Sequence, residues 1–207
     1  MKEKLNETST INYYEQNSSN LSSRYENADV SEIHKLLLQT FDKNSELLEI
    51  GCGSGRDASF MSKNDFNITA IDGSINMIKE AKNIHPELFK KLFHKTLPND
   101  LEFDKKFDGI YSIATLMHLS KNDLKITISK IYDLLNQNGK FLMSVSLFRD
   151  DINKDGFDDK GRFFLVLNFD EWVNLLENIG FKILKTKTNT DGLDRNGIQW
   201  LTLVANK

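Results

Sequence analysis

Leu47-Leu48-Glu49-Ile50-Gly51-Cys52-Gly53-Ser54-Gly55-Arg56-Asp57 is the stretch that decides how this chain folds. A short apolar run stops in a Gly-x-Gly-x-Gly turn, and helix-compatible residues follow at once. That is how a buried strand hands the chain to a helix whose N-terminus faces a ligand. Glycines serve where backbone must approach a ligand closely or take a positive φ. Their spacing bears on which ligand. A dinucleotide fingerprint places its third glycine three residues after the second, and Arg56 stands at that position. The NAD reading therefore loses ground at its first test.

Working outward, Asn67 to Ile71 predicts a second strand ending at Asp72-Gly73, after which Ser74 can cap a helix carrying Ile75, Ile78 and Ala81. Ahead of the glycine turn, Ile33, Leu36, Leu37 and Phe41 fall on one helical face, with Asp29 or Ser31 available as N-cap. Downstream, strands are expected near Leu92–Phe93, over Phe107–Ile113 and over Phe141–Val145. Ser120 to Asp123 resembles a capping box for a helix through Leu124, Ile128, Ile131 and Leu135, which Gly139 is expected to end. Asn168 and Glu171 cap a helix with Trp172, Leu175, Leu176 and Ile179 on one face, stopped by Gly180. Phe181–Thr188 and Ile198–Val204 flank a loop containing Asp191-Gly192, the pattern of an antiparallel pair. Strands alternating with helices and closed by a hairpin predict one α/β domain over residues 29–207. Residues 1–28 are polar: Met1 to about Thr10 is expected to be frayed, and the part with Tyr13, Tyr14, Arg24 and Tyr25 is either a helical lid or a surface strap.

Composition narrows the classes of function. At 207 residues the chain suits one domain with a real core. A net charge of −3 gives no electrostatic reason to expect nucleic acid as a non-specific partner. The single cysteine, Cys52, excludes an internal disulfide framework and any Cys-cluster metal site. The first twenty residues have no apolar core of a secretory signal, and no apolar stretch approaches a membrane span, so a cytoplasmic protein without membrane attachment is expected. Asp151 to Gly156 imitates the first half of a calcium loop, but Arg162 replaces its bidentate Glu, so the stretch reads as an acidic solvated loop and no metal is expected.

The candidate chemistry begins with acids. Asp72 lies near ~20 residues past the first glycine, where a carboxylate can accept hydrogen bonds from both ribose hydroxyls of a nucleoside. Glu49 is a carboxylate inside an otherwise apolar strand end, which needs a donor or cation: a ligand ammonium, a loop amide or a structural partner.

At these residues the chain resembles the class I S-adenosylmethionine-dependent methyltransferases. Leu48 to Asp57 looks like their first motif, Ile71 to Ile78 their second, Phe107 to Leu119 their fourth and Leu134 to Phe141 their fifth, in order and over most of Val30 to Lys207. The fifth departs from the usual Pro-Gly-Gly, reading Gln137-Asn138-Gly139. The resemblance implies a Rossmann-like, doubly wound, seven-stranded, mostly parallel sheet with an antiparallel last strand. It implies S-adenosylmethionine as cofactor, bound across the C-terminal strand edges. Gly51, Gly53 and Gly55 would let backbone approach it, with Glu49 and Cys52 beside them, and Asp72-Gly73 would take the ribose. Met77, Thr96 and Leu97 would meet the adenine. Ser112, Ile113 and Ala114 would line the floor near the sulfonium, with Arg56 and Asp57 as cofactor or lid contacts.

Catalysis in such a site is largely in-line positioning of a nucleophile, with a base needed only when that nucleophile arrives protonated. His118 is the candidate base; the alternative is a histidine packing at a helix start. Tyr14, Arg149, Arg162 and Arg195 are candidate substrate contacts, the arginines suited to a carboxylate or phosphate. Alternatively Arg162 and Asp191 simply pair to fix the loop. The expected activity is methyl transfer to a small molecule. A tRNA-base methyltransferase is the second reading, because Ile113–Leu119 also resembles wobble-uridine enzymes, and a catalytically silent cofactor-binding partner subunit is the third. The oligomeric state is not encoded in any motif.

Overall fold

The computed structural model describes residues 2–190 and 197–207. Its strands are Glu46–Ile50 (β1), Asn67–Asp72 (β2), Leu92–His94 (β3), Phe107–Ile113 (β4), Leu135–Arg149 (β5), Lys182–Thr190 (β6) and Ile198–Asn206 (β7). Helices span Lys2–Glu26 (α1), Ser31–Thr40 (α2), Arg56–Lys63 (α3), Ile75–Ile84 (α4), Lys121–Leu134 (α5) and Phe169–Ile179 (α6). One seven-stranded sheet carries the order β3-β2-β1-β4-β5-β7-β6. The pairs from β3 through β5 are parallel, and β7 lies antiparallel between β5 and β6. The implied Rossmann-like topology is thus the observed one. The strand order, not the strand direction, reverses between β1 and β4, and an α/β sheet of this kind opens a ligand crevice at the C-terminal strand ends there.

Alternation along the strands sorts side chains between two cores. Leu48, Ile50, Phe141, Met143, Val145, Leu201 and Leu203 face one layer with α5 and α6 residues such as Ile128 and Trp172. Leu47, Tyr111, Leu142 and Val204 face the other, against Leu37, Phe41, Met61 and Ile78 from α2, α3 and α4. Strands covered on both sides must be apolar on both sides, which explains their near-continuous hydrophobic runs. Ser74 caps α4 by accepting the Met77 N–H at 3.1 Å, and Asn168 with Glu171 completes a reciprocal capping box on α6. No helix among the described residues is long and apolar enough to cross a membrane.

Three local expectations are corrected. Residues 2–10 are helical, not frayed: α1 begins at Lys2, and Thr10 is buried, its hydroxyl accepting the Phe163 N–H at 2.9 Å. Tertiary contacts override the weak local preference of a polar Asn/Ser-rich segment. Gly139 does not end α5; the helix stops at Leu134 when Leu135 turns extended, and Asn138 (φ 63°) turns the chain within β5. Neither Asp29 nor Ser31 is the cap of α2: Val30 holds that place, and the Asp29 carboxylate accepts the Ser31 N–H at 3.0 Å.

Candidate active site

The glycine turn is built by backbone. Gly51 (φ 79°) and Cys52 both donate N–H to the Ile71 carbonyl, at 2.8 and 2.9 Å. A methyl on Gly51 would sit 2.0 Å from Thr115 Oγ1, so the turn can pass beneath Thr115 only as glycine. Asp72, at the end of β2, accepts the Gly53 N–H on Oδ2 at 2.9 Å and the Ser74 N–H on Oδ1 at 2.8 Å. Burial pushes its carboxyl up, and the two backbone donors oppose that shift. Asp72 is therefore fixed in orientation while each oxygen keeps a lone pair for another donor.

Above this turn opens a cavity of about 590 Å³, within the size range of small-ligand sites. Glu49 stands in its wall, 2% exposed, accepting a hydrogen bond from the Tyr111 hydroxyl at 3.1 Å. Burial pushes its carboxyl well up, with the neighbouring Asp57 adding to the shift. A buried carboxylate with a single hydroxyl donor suits a cationic ligand group. The Cys52 thiol is pushed up by burial beside the same acids, so it is a protonated, small wall residue.

Arg56 and Asp57 have structural partners. Arg56 donates to both Asp57 oxygens, at 2.8 and 3.0 Å, and to the Tyr25 carbonyl at 2.7 Å. His34, stacked on Phe60, lies 2.9 Å from Asp57 Oδ1. Burial alone would raise the Asp57 carboxyl, but hydrogen bonds from His34 and Arg56 outweigh it and hold it below the usual range. Both residues line the cavity, yet their polar atoms tie α1 and α2 to the start of α3.

The polar N-terminal segment proves to be a roof. Glu15 accepts the N–H groups of Ile75 and Asn76 at 2.6 and 3.2 Å, supplying a carboxylate to the N-terminus of α4. Glu26 accepts from the Ser54 hydroxyl at 2.6 Å, with His85 Nε2 3.2 Å away. Ser9 donates to the Gly161 carbonyl. From this helix Ile11, Tyr14 and Tyr25 line the cavity.

His118 closes a short 3₁₀ turn, Leu116–His118, after β4. Its Nδ1 lies 2.7 Å from the Phe163 carbonyl, which only accepts, so that nitrogen carries the proton. Nε2 is then an acceptor, 3.3 Å from the Tyr14 hydroxyl. Burial lowers the His118 imidazole to about 4, with Arg162 and Arg149 adding to the shift and the Phe163 carbonyl opposing it. The ring is neutral at pH 7, held in one tautomer.

Of the residues expected to meet the cofactor, Glu49, Gly51, Cys52, Gly53, Arg56, Asp57, Asp72, Gly73, Leu97, Ile113 and Ala114 line the cavity. Four do not, and the reasons are local. Gly55 (φ 83°) lets α3 approach α4, where its added methyl would lie 3.2 Å from Ala81 Cβ. Met77 is fully buried beneath the turn, its Cε 3.7 Å from a methyl placed on Gly53. Thr96 turns back to Asp100, and Ser112 donates to the Ile50 carbonyl at 3.0 Å inside the sheet. Tyr14, Arg149 and Arg162 line the same cavity, as does His118, whereas Asp191 and Arg195 lie outside the described residues. Arg162 pairs with Asp158, at 2.8 and 2.6 Å, and the pairing expected between Arg162 and Asp191 lies outside the described residues. Sequence reasoning also misses Ile11, Thr115 and Met117 in the wall; only the three-residue spacing of Ile11 and Tyr14 on one helix face could have flagged any of them.

Comparison with known proteins agrees with this geometry. A family model described as a methyltransferase domain matches residues 22–186. The chain is similar to a malonyl-[acyl-carrier protein] O-methyltransferase of Priestia megaterium, 33% identical over 114 residues, covering 54% of this chain and 40% of the relative. Among solved structures, a TehB-like SAM-dependent methyltransferase from Corynebacterium glutamicum superposes with a TM-score of 0.69 at 19% identity, over 95% of this chain and 97% of that one. A Burkholderia thailandensis 1,6-didemethyltoxoflavin-N1-methyltransferase, solved with 1,6-didemethyltoxoflavin and S-adenosylhomocysteine bound, gives 0.65 at 20% identity, over 86% and 76%. The chain spans about half the length of the curated relatives it matches. Glycine turn, sheet order and family model converge: the chain belongs to the class I S-adenosylmethionine-dependent methyltransferases.

Proposed function

We propose that this protein transfers a methyl group to a small-molecule acceptor. The observation that carries the reading is the cavity itself: about 590 Å³ at the C-terminal strand ends, roofed by α1, with donor-binding and acceptor-binding residues in one wall. When bound, S-adenosylmethionine supplies a methyl already activated on a sulfonium. The chain's own work is to hold both partners. Asp72 accepts the ribose hydroxyls on its remaining lone pairs, Glu49 faces the cationic end, and Ile113 with Ala114 (φ 57°) forms the floor. Leu97 packs against the adenine side. Tyr14 and His118 orient the acceptor, and His118 Nε2, the unprotonated nitrogen, takes a proton when the nucleophile arrives with one. Holding the reacting atoms in line can contribute on the order of 7–11 kcal/mol, more than the proton transfer.

The test is methyl transfer from labelled cofactor to a metabolite extract and, separately, to total tRNA. Label in the metabolite fraction is the expected outcome. Label in tRNA alone refutes the small-molecule acceptor, and tight S-adenosylhomocysteine binding with no product in either favours a catalytically silent subunit.

A further inference from the structure

Both signs of charge line the cavity: Arg24, Arg56 and Lys95 stand in its wall along with four carboxylates. Its wall carboxylates, Asp29, Glu49, Asp57 and Asp72, lie just before α2, on β1, on α3 and on β2. Arg149 and Arg162 lie across β4 from β1 and β2, at the end of β5 and in the loop that follows. The two arginines differ in how they are neutralised. Arg162 pairs with Asp158, whose side chain is 1% exposed, so its charge is matched inside the protein.

Arg149 is different. Its side chain is 2% exposed, but its partner Asp151 is 42% exposed and stands outside the cavity wall. Asp151 takes Nε and Nη2, at 2.9 and 2.5 Å, while Nη1 has no hydrogen-bond partner among the described residues. The guanidinium lies over the Phe164 ring with its carbon 3.8 Å from the centroid. Burying a cation is costly unless charge and hydrogen bonds are matched, and here half of that matching is left to solvent. A ligand anion would complete it.

We propose that the methyl acceptor carries a carboxylate or phosphate, docked on Arg149 beside Phe164 and Trp200. This rests on the small-molecule methyl-transfer reading and names its substrate class. The aromatic walls favour a flat body behind the anion, since Phe164, Trp200 and Tyr14 all face the space that Arg149 borders.

The experiment titrates the full chain, saturated with S-adenosylhomocysteine, with benzoate, phenyl phosphate and neutral benzamide by calorimetry. At least one anion is expected to bind tenfold or more tighter than benzamide, and which anion wins distinguishes carboxylate from phosphate. Arg149→Gln is expected to abolish the preference while S-adenosylhomocysteine affinity stays within twofold, and Arg149→Lys to keep part of it. Equal binding of benzamide, no anion binding to the loaded protein, or a preference that survives Arg149→Gln overturns the proposal and leaves methyl transfer standing. Failure to bind S-adenosylhomocysteine overturns both. The comparison of ligands on the unaltered protein needs no variant to fold.

Discussion

Asp72→Asn looks conservative and is expected to be severe. Both Asp72 oxygens are already engaged, Oδ2 by the Gly53 N–H at 2.9 Å and Oδ1 by the Ser74 N–H at 2.8 Å. An asparagine has one acceptor oxygen, so its NH₂ must point at one of those two N–H groups. A donor then faces a donor in a buried place, and an unsatisfied buried polar group costs about 1–3 kcal/mol. The same NH₂ cannot accept from a ribose hydroxyl. Each charge-assisted hydrogen bond lost is worth about 1.5–3 kcal/mol. Losing one such bond and weakening the other, on a misplaced glycine turn, amounts to about 3–5 kcal/mol, or roughly 10²–10⁴ in Kd. Asp72→Ala loses the ribose contacts without forcing two donors together, so its affinity should fall as far while its unfolding temperature falls less. Calorimetric titration with S-adenosylhomocysteine and thermal unfolding of both variants measure the two effects. Asp72→Asn binding within threefold of the natural chain would refute the reasoning, because it would mean that the carboxylate does not face the ribose.

His118→Ala should lower kcat by about 10²–10⁴ while S-adenosylhomocysteine affinity stays within twofold; unchanged kcat in rapid-quench assays would demote His118 to packing. Stability should also depend on that ring. Its native value of about 4 lies below the 6.5 of an unfolded histidine, so between those values the unfolded chain binds the extra proton. This contribution is intact above pH 6.5 and lost as the pH falls to 4, about 3 kcal/mol in all, and the difference between urea titrations of the natural chain and His118→Asn isolates it from the acids that titrate nearby. In Gly51→Ala the new methyl meets Thr115 Oγ1 at 2.0 Å at a φ of 79°; the left-handed backbone costs about 1–2 kcal/mol and the overlap about 1–3 more, the second part returning in Gly51→Ala with Thr115→Gly. A urea midpoint shift worth under about 1 kcal/mol would count against that close approach. Glu26→Gln weakens the hold on Ser54 and His85 by roughly 1 kcal/mol, visible as faster amide exchange in the last turn of α1.

The glycine-turn side of the cavity was legible because its geometry is local. Gly51, Gly53 and Asp72 are brought together by one strand–turn–helix unit and the next strand, and spacing alone conveys that. Met77 and Ser112 fall outside the cavity lining because a helix or strand residue one position off faces the core instead of the crevice. Ser112 shares the side of Ile110, while Ile113 shares that of Tyr111 and reaches the cavity. The acceptor half was harder to read because it is assembled at long range. Thr10 meets Phe163 across 153 positions and Tyr14 meets His118 across 104. Nothing in the Asn/Ser-rich run of α1 announces such partners. Nor does the order of residues say that Arg162 pairs with Asp158, four positions away.

The clamps on α1 connect the two halves physically. Ser9 and Thr10 hold it to Gly161 and Phe163, next to Arg162; Glu15 holds it to the start of α4, three residues beyond Asp72; Glu26 and the Tyr25 carbonyl hold it to Ser54 and Arg56 in the glycine turn. One helix therefore covers both ends of the cavity, and electrostatic contacts are strengthened wherever it keeps water out. Loosening it at Glu26 should weaken S-adenosylhomocysteine and a bound anion together. Removing the Arg149 charge should weaken the anion alone. That contrast separates a roof that serves the whole cavity from a side chain that reads one ligand.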